Sequence, residues 1–360
     1  MKSKKKLLFA AYNLDLGGIE KALINLLNLI DYNKYEVTLV LEKKEGIFLN
    51  QLNNNVKVIE LKVSNLKIKV LRKLINFTRK LLFKLKYNNK FNFSCCYATY
   101  SYSSAKITQI ASKNSSIYIH GNYNDMYPNE NEFYEFFNSR NINEFRKIIF
   151  VSNESKTSFI DKYPNLKDKC SVFNNFIDTN EIITKSKEQI NIKKPSNILL
   201  VFVGRLEEKS KKVSKQINLV KNINNIDLWI IGDGPDKDKY IDMVEKEKLT
   251  DRIKFLGKRE NPYPFMQEAD YIILTSDYEG FPVTYLEAIT LNKDIITTIP
   301  TSDDQIDIKD YGHIISKNEN KMIEEVKNII KNKDKVEKID LNNKQKDRIK
   351  KLEEVFDEVI

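Results

Sequence analysis

Short apolar runs alternate along this chain with longer stretches of helical period, and the alternation occurs twice. In the first half, Leu7–Tyr12, Glu36–Glu42, Val56–Leu61, Ser94–Thr99, Ser116–Ile119 and Lys147–Ser152 read as strands. Ile19–Ile30 carries apolar residues at helical spacing (Ile19, Leu23, Leu26, Leu27, Ile30), and a long helical pattern runs from Leu66 to Tyr87. Strands separated by helices predict a parallel sheet covered on both faces. A polar stretch from Asp178 to Ser196 reads as a connection. The pattern then restarts, with strands at Asn197–Val203, Asp227–Ile231, Ile253–Leu256, Tyr271–Ser276 and Asp294–Thr298. Helices are expected at Val213–Asn222, Asp236–Lys248 and Val283–Leu291, a short one within Asn261–Glu268, and a charged helical tail from Lys317. A chain of 360 residues is long enough for two such domains.

Other features narrow the class. No stretch approaches the roughly 20 apolar residues of a membrane helix. The lysine-rich start leads into an apolar run, Leu7–Tyr12, that is too short for a signal peptide and is closed by Asn13 and Asp15, so the chain is expected to stay in the cytoplasm. Cys95, Cys96 and Cys170 show no metal-ligand spacing and read as buried or free thiols. The net charge of +10 is unevenly placed: residues 1–180 hold 28 Lys/Arg against 16 Asp/Glu, and residues 181–360 hold 32 against 34. Between Glu60 and Asp125 there are twelve Lys/Arg and no acid. Abundant Asn, Lys and Ile inflate lysine throughout, but they do not account for the missing acids. The first half therefore expects an anionic partner: nucleic acid, a membrane surface or a phosphorylated substrate.

In the second half the informative residues follow strands. Gly204-Arg205-Leu206, Gly232-Asp-Gly234-Pro, Gly257-Lys258-Arg259 and Glu279-Gly280 each come just after one. Open parallel sheets bind ligands beyond the carboxyl ends of their strands. Singly, each of these is a turn glycine or a surface charge; together they mark one rim. Glu279 and Glu287 flank a strand-to-helix junction, Glu279-Gly-Phe-Pro-Val-Thr-Tyr-Leu-Glu287. Paired carboxylates grip hydroxyls, and free N–H groups at a helix start face phosphates, a combination that suits a sugar nucleotide. Gly17-Gly18 follows the first strand but is not a G-x-G-x-x-G fingerprint.

In that order, G-R-L, a lysine, G-D-G-P, L-G and S-D-Y-E-G-F-P-V-T-Y-L-E-A resemble the donor half of glycosyltransferase family four, retaining enzymes of the GT-B fold. Gly17-Gly18-Ile-Glu-Lys-Ala-Leu, Ile117-Tyr-Ile-His120-Gly and Phe173-Asn-Asn-Phe-Ile-Asp178 are similar to segments of its first half. The resemblance implies an α/β GT-B fold, two Rossmann-like doubly wound domains facing across a cleft. An acceptor-binding domain would span 1–180 and a nucleotide-sugar-binding domain 181–345, with the helix at 346–360 packing back towards the first. It implies Arg205 and Lys211 (with Lys209 and Lys212 as alternatives) on the donor diphosphate, Glu279 near the hexose hydroxyls and Glu287 on the ribose. Gly17, Gly18, Gly204, Gly234, Lys258, Gly280, Phe281, Pro282 and Val283 would complete the donor site, and His120 would touch the transferred sugar or the acceptor. The positive side chains replace a metal, so neither metal nor cofactor is expected. His313 reads as structural. Two positions depart from the family: Pro300-Thr-Ser-Asp-Asp-Gln stands where Gly-Gly-x-x-Glu is common, and Lys212 where glycine is common.

The activity implied is transfer of a hexose from a UDP- or GDP-sugar to a glycan or lipid-diphosphate-linked acceptor, with retention, in bacterial surface-polysaccharide synthesis. Val70, Leu71, Leu74, Ile75, Thr78, Leu81, Leu82 and Leu85 fall on one face of the 66–87 helix, with Arg72, Lys73, Asn76, Arg79, Lys80 and Lys84 around the other. This is the pattern of a cationic helix on anionic lipid at the inner face of the plasma membrane, or of a packed helix with a solvated outer face. Two rival readings are a non-catalytic partner subunit of the same fold, whose mark would be loss of Arg205 or the carboxylate pair, and a nucleic-acid-binding protein. The second lacks a basic-aromatic module, so no nucleic-acid partner is expected.

Overall fold

The computed structural model describes residues 3–15, 17–62, 64, 66–332 and 341–358. The chain divides into two compact units, Met1–Phe176 with Gln345–Ile360, and Ile177–Lys344.

The first unit contains β1 (Lys5–Ala11), α1 (Gly18–Leu29), β2 (Tyr35–Leu41), β3 (Lys57–Glu60), α2 (Lys69–Tyr87), β4 (Phe93–Cys96) and α3 (Tyr102–Ala111). It continues through β5 (Ser115–Ile119), α4 (Tyr123–Met126), α5 (Glu130–Ser139), β6 (Lys147–Phe150), α6 (Asn153–Lys162) and β7 (Cys170–Val172). Its sheet has the order β3-β2-β1-β4-β5-β6-β7, and every pairing is parallel. The strand sequences explain this. β1 and β2 are nearly continuous apolar runs, with Leu7, Leu8, Phe9 and Ala10 paired to Val37, Thr38, Leu39 and Val40 and all of them buried. Strands buried on both faces read this way, rather than alternating. Serines start two of the connecting helices: Ser101 accepts from the Ser104 N–H at 3.0 Å and Ser152 from the Ser155 N–H at 3.2 Å. Cys95 and Cys96 are buried in β4, and burial pushes the Cys95 thiol up to about 12.

The second unit begins with α7 (Thr179–Lys185), β8 (Ile198–Val203), α8 (Glu208–Lys211), α9 (Val213–Asn222), β9 (Ile226–Ile231), α10 (Lys237–Lys246) and β10 (Ile253–Gly257). α11 (Tyr263–Glu268), β11 (Tyr271–Leu274), α12 (Val283–Thr290), β12 (Asp294–Thr297), β13 (Gly312–Ile314) and α13 (Glu319–Asn332) follow. Its sheet, β10-β9-β8-β11-β12-β13, is also wholly parallel. Leu200, Phe202, Leu228, Ile230, Ile217, Val220, Tyr240 and Met322 meet in its core. Each such side chain contributes about 1.5–3 kcal/mol by leaving water. The last helix, α14 (Leu341–Asp357), joins the first unit from Gln345 onward, where Phe356 packs against Phe9, Tyr35 and Phe93 at ring-centroid distances of 6.1, 5.8 and 4.7 Å.

Two strands had no counterpart in the sequence reading. β7 and β13 are three-residue edge strands, too short to carry a readable period. His313 lies in β13. α3, α5 and α6 occupy connections to which no element had been assigned.

Helix α2 starts at Lys69, not Leu66, and its faces are the reverse of those of a packed helix. Only Phe83 on it is buried, while Val70 is 78% exposed, Leu85 is 75% exposed, and Leu74, Phe77, Leu81 and Leu82 are exposed as well. Arg72, Asn76, Arg79 and Lys80 are partly buried, as are Ile75 and Tyr87, whereas Lys69, Lys73, Lys84 and Lys86 are exposed. The reading of a packed helix with a solvated polar face is thereby corrected. Three of its seven cations (Arg72, Arg79 and Lys80) face the protein, and most of its apolar residues face outward.

Both sheets reverse their winding at a switch point, between β1 and β4 in the first and between β8 and β11 in the second. Ligands of open α/β sheets bind beyond the strand ends at such points.

Candidate functional site

The four loops singled out in the second half leave β8, β9, β10 and β11, which are adjacent strands in the order β10-β9-β8-β11. Their backbones interlock. The Gly204 N–H donates to Ile231 O and the Gly232 N–H to Gly257 O, both at 3.0 Å, and the Leu206 N–H donates to Asp233 O at 2.9 Å. Gly232 has φ +145°, and a Cβ there would stand 1.8 Å from the carbonyl oxygen of Gly204. A Cβ on Gly234 would come within 2.3 Å of Leu206 O. Only glycine permits this approach, and the rim is stiff because of it.

Three groups meet across the β8–β11 switch point. Lys211, at the end of α8, places its ammonium on Glu279 Oε1. The Ser276 hydroxyl donates to the same oxygen at 2.7 Å. The Asp277 N–H donates to Ser210 O at 2.8 Å and ties the two loops together. Lys209 is exposed. Lys212 sits at φ +49° and reaches Asp277 at 3.4 Å, a carboxylate that Lys215 also approaches at 3.3 Å. Of the three candidate lysines, Lys211 is the one paired with Glu279.

Arg205 belongs to the same rim and is not part of that cluster. Its side chain is 68% exposed, and its Nε lies 3.9 Å from Glu207 Oε1. Glu287 is buried on α12 and accepts from the Tyr263 hydroxyl at 3.1 Å. Burial, and then the Glu287 carboxylate, hold that hydroxyl well above the usual phenol range. The two glutamates thus have separate partners. Pro282 is the N-cap of α12 (φ −58°, ψ 130°), one residue before the first helical position. Gly280, Phe281 and Val283 are buried around it, and Thr284 Oγ1 donates to Val203 O at 3.5 Å, which sets the helix start against the end of β8. Lys258 is exposed after β10.

In the first unit His120 follows β5. Its ring stacks on Tyr118 (4.8 Å, 10°) and lies 4.5 Å from Tyr97. Both ring nitrogens are buried without a hydrogen-bond partner among the described residues. Burial lowers its pKa to about 3; Asn175 and the Tyr97 backbone lie beside the ring and oppose the shift. The imidazole is therefore neutral at ordinary pH. Gly17 is the N-cap of α1 at φ −167°, extended backbone that any residue adopts, and Gly18 is the first helical residue.

Ser276, Asp277 and Tyr263 escaped the sequence reading. Ser276 and Asp277 stood inside the quoted motif with no chemical signal of their own. Tyr263 comes from a different element and only the fold brings it to Glu287. Among the described residues, no three His, Cys, Asp or Glu side chains gather as a metal site. Nor is any helix of these residues long and apolar enough to cross a membrane.

Residues 183–351, the stretch that holds Arg205, Lys211, Glu279 and Glu287, match the family model of glycosyl transferases group 1. This stretch, hereafter the group 1 domain, is similar in sequence to the group 1 glycosyltransferases. An uncharacterized glycosyltransferase of Methanocaldococcus jannaschii is 28% identical to the chain over 159 residues, 42% of this chain and 39% of that one. The Campylobacter jejuni N-acetylgalactosamine-N,N'-diacetylbacillosaminyl-diphospho-undecaprenol 4-alpha-N-acetylgalactosaminyltransferase is 27% identical over 191 residues, 52% of this chain and 51% of that one. The chain thus matches about half or less of the length of these relatives. Among solved structures, Anabaena HepE in complex with UDP and glucose superposes with a TM-score of 0.71 at 17% identity, covering 91% of this chain and 90% of that one. A TarM variant of S. aureus in complex with UDP reaches 0.72 at 13% identity, covering 98% and 100%. These likenesses establish the fold: two Rossmann-like parallel-sheet domains of the GT-B type, with the group 1 domain as the second.

Proposed function

We propose that the protein is a retaining, metal-independent glycosyltransferase. It moves a hexose from a UDP- or GDP-sugar to a glycan or lipid-linked acceptor in the assembly of a surface polysaccharide. The observation that carries this reading is the meeting of Lys211, Glu279 and Ser276 across the β8–β11 switch point of the group 1 domain. In the free protein the ion pair holds both groups in place. When donor binds, the ammonium turns to the diphosphate and the carboxylate to the hexose hydroxyls. Arg205, exposed on the same rim, adds a second cation to the diphosphate, and Glu287 takes the ribose hydroxyls.

In the step itself, the bond from the anomeric carbon to the donor phosphate oxygen breaks and its electron pair passes to the diphosphate. The acceptor hydroxyl oxygen bonds to that carbon on the same face, and its proton passes to the departing phosphate oxygen. Negative charge grows on the leaving group, so preset cations stabilise the transition state more than the ground state. His120, buried and neutral, supplies a polar contact to sugar or acceptor. The complexes of HepE with UDP and glucose support the donor class. The diphospho-undecaprenol substrate named for the Campylobacter relative supports the acceptor class.

The acceptor side works at the cytoplasmic face of a membrane. The outward apolar face of α2 lies in the interfacial layer of an anionic bilayer, with Lys73, Lys84 and Lys86 at the headgroups. The absence of acids between Glu60 and Asp125 supports an anionic surface over a protein partner. Screening nucleotide sugars for thermal stabilisation, with Glu279→Gln as control, tests the donor reading. A shift of several degrees with one donor, reduced in the variant, is expected, and no shift with any donor would count against it.

A further inference from the structure

Between the inner face of α2 and the ends of β1, β2, β3 and β4 lies a cavity of about 420 Å³. Its chemistry comes from Arg79 and Lys80 on the helix, Glu42 on the floor, and the rings of Tyr12, Tyr100 and Tyr102. Glu42 is only 5% exposed, and its Oε1 accepts from the Ser101 and Ser104 hydroxyls. Burial raises its pKa and makes it a poor counter-ion. Arg79 donates to Lys62 O, which fixes the guanidinium. The Lys80 ammonium stands 4.5 Å over the Tyr102 ring. Burial, and then Lys106, lower the Lys80 pKa against the opposing pull of Glu42. Among the described residues, no carboxylate lies within ion-pair distance of Arg79 or Lys80.

Two unmet needs therefore sit on opposite faces of one helix. Its inner face holds partly buried cations without counter-ions, which is costly unless an anion binds. Its outer face holds seven exposed large apolar side chains (Val70, Leu71, Leu74, Phe77, Leu81, Leu82 and Leu85), which is costly unless an apolar medium covers them. One molecule answers both. We propose that the cavity binds the phosphate-bearing head group of a lipid, on whose bilayer surface the outer face of α2 rests. Arg79 and Lys80 hold the phosphate, and the three tyrosine rings line the space beyond it. This rests on the lipid-surface reading of α2 above and not on the transfer chemistry.

The test uses the full chain and isothermal titration with dodecyl phosphate below its micelle concentration, inorganic phosphate, and the neutral dodecyl glucoside. Dodecyl phosphate should bind more tightly than either of the others. Arg79→Gln/Lys80→Gln should weaken it by about tenfold or more, the scale of losing charge-assisted hydrogen bonds. The charge-keeping Arg79→Lys/Lys80→Arg should restore most of the affinity, and Lys246→Met, at the exposed end of α10 in the other unit, should leave it unchanged. Equal binding by the Gln variant would overturn the inference, as would equal binding of dodecyl glucoside or failure of the charge-keeping pair to restore affinity. Sedimentation with vesicles of phosphatidylcholine and phosphatidylglycerol separates the two claims. Vesicle binding without dodecyl phosphate binding would sink the cavity and leave the membrane reading standing.

Discussion

Lys211 and Glu279 are 68 residues apart in sequence and form one ion pair, with their side chains 21% and 13% exposed. The pair joins a one-turn helix after β8 to the loop after β11, across the point where the sheet reverses. Removing one member of such a pair leaves a partly buried charge without its partner. Lys211→Met should therefore cost about 1–3 kcal/mol in urea unfolding, and the double variant Lys211→Met/Glu279→Met should recover part of it. In a transfer assay with the donor found by the stabilisation screen, Lys211→Met and Glu279→Gln should each lower kcat/KM by about 10²–10³. A loss under threefold for both would remove them from the chemistry.

Gly232 and Gly257 offer a paired test of the rim. Both have positive φ, +145° and +70°, yet a Cβ on Gly232 strikes the Gly204 carbonyl whereas one on Gly257 meets nothing within 4 Å. Gly257→Ala should cost about 1–2 kcal/mol, the strain of left-handed backbone alone. Gly232→Ala should cost clearly more and shift the loop carrying Arg205. Equal melting temperatures for the two variants would contradict the interlock.

His120 makes stability depend on pH. Its pKa is lowered from 6.5 to about 3 in the folded chain, so the unfolded chain binds more protons between those values. The contribution of the neutral ring is complete above pH 6.5 and is lost as pH falls towards 3, at about 1.4 kcal/mol per pH unit. Unfolding of the protein and of His120→Gln, compared at pH 7 and pH 5, should show the parent losing about 2 kcal/mol more than the variant. Parallel losses would mean that the ring is protonated in place or is not buried.

The exposed lysines of α2 should govern membrane attachment. Lys69, Lys73, Lys84 and Lys86 are exposed. Each cation near an anionic surface contributes about 1 kcal/mol, so reversing all four to Glu should reduce vesicle sedimentation by more than about a hundredfold. Serine at Val70 and Leu85 should weaken it independently of salt. Unchanged sedimentation of both variants would leave the apolar face without a lipid partner.

Much of this was legible because parallel sheets write themselves in long apolar runs. β1, β2, β8 and β9 are buried on both faces and could be read directly, as could the order of loops on the second rim. The three-residue β7 and β13 could not, since pairing with β6 and β12 rather than their own composition makes them strands. Lys211 could be ranked first by spacing, but only the fold explains why. Lys212 takes the left-handed turn at φ +49°, the conformation that favours the glycine common in the family, and is drawn off to Asp277. The helical period of 66–87 was plain, yet which face met the protein was not, because an amphipathic pattern does not say on which side its solvent lies. Tyr263 under Glu287 left no trace in the sequence.

The packing of Phe356 against Phe9, Tyr35 and Phe93 bears on how the chain is made. Strands β1, β2 and β4 leave the ribosome more than 250 residues before the aromatic ring that completes their packing. Domains usually settle in the order of synthesis. Here the earliest sheet waits with an open seat for the end of the last helix, while the second unit holds its own core around Leu200, Phe202, Leu228 and Ile230. The seat on the first sheet therefore stays empty until the end of the last helix has been made.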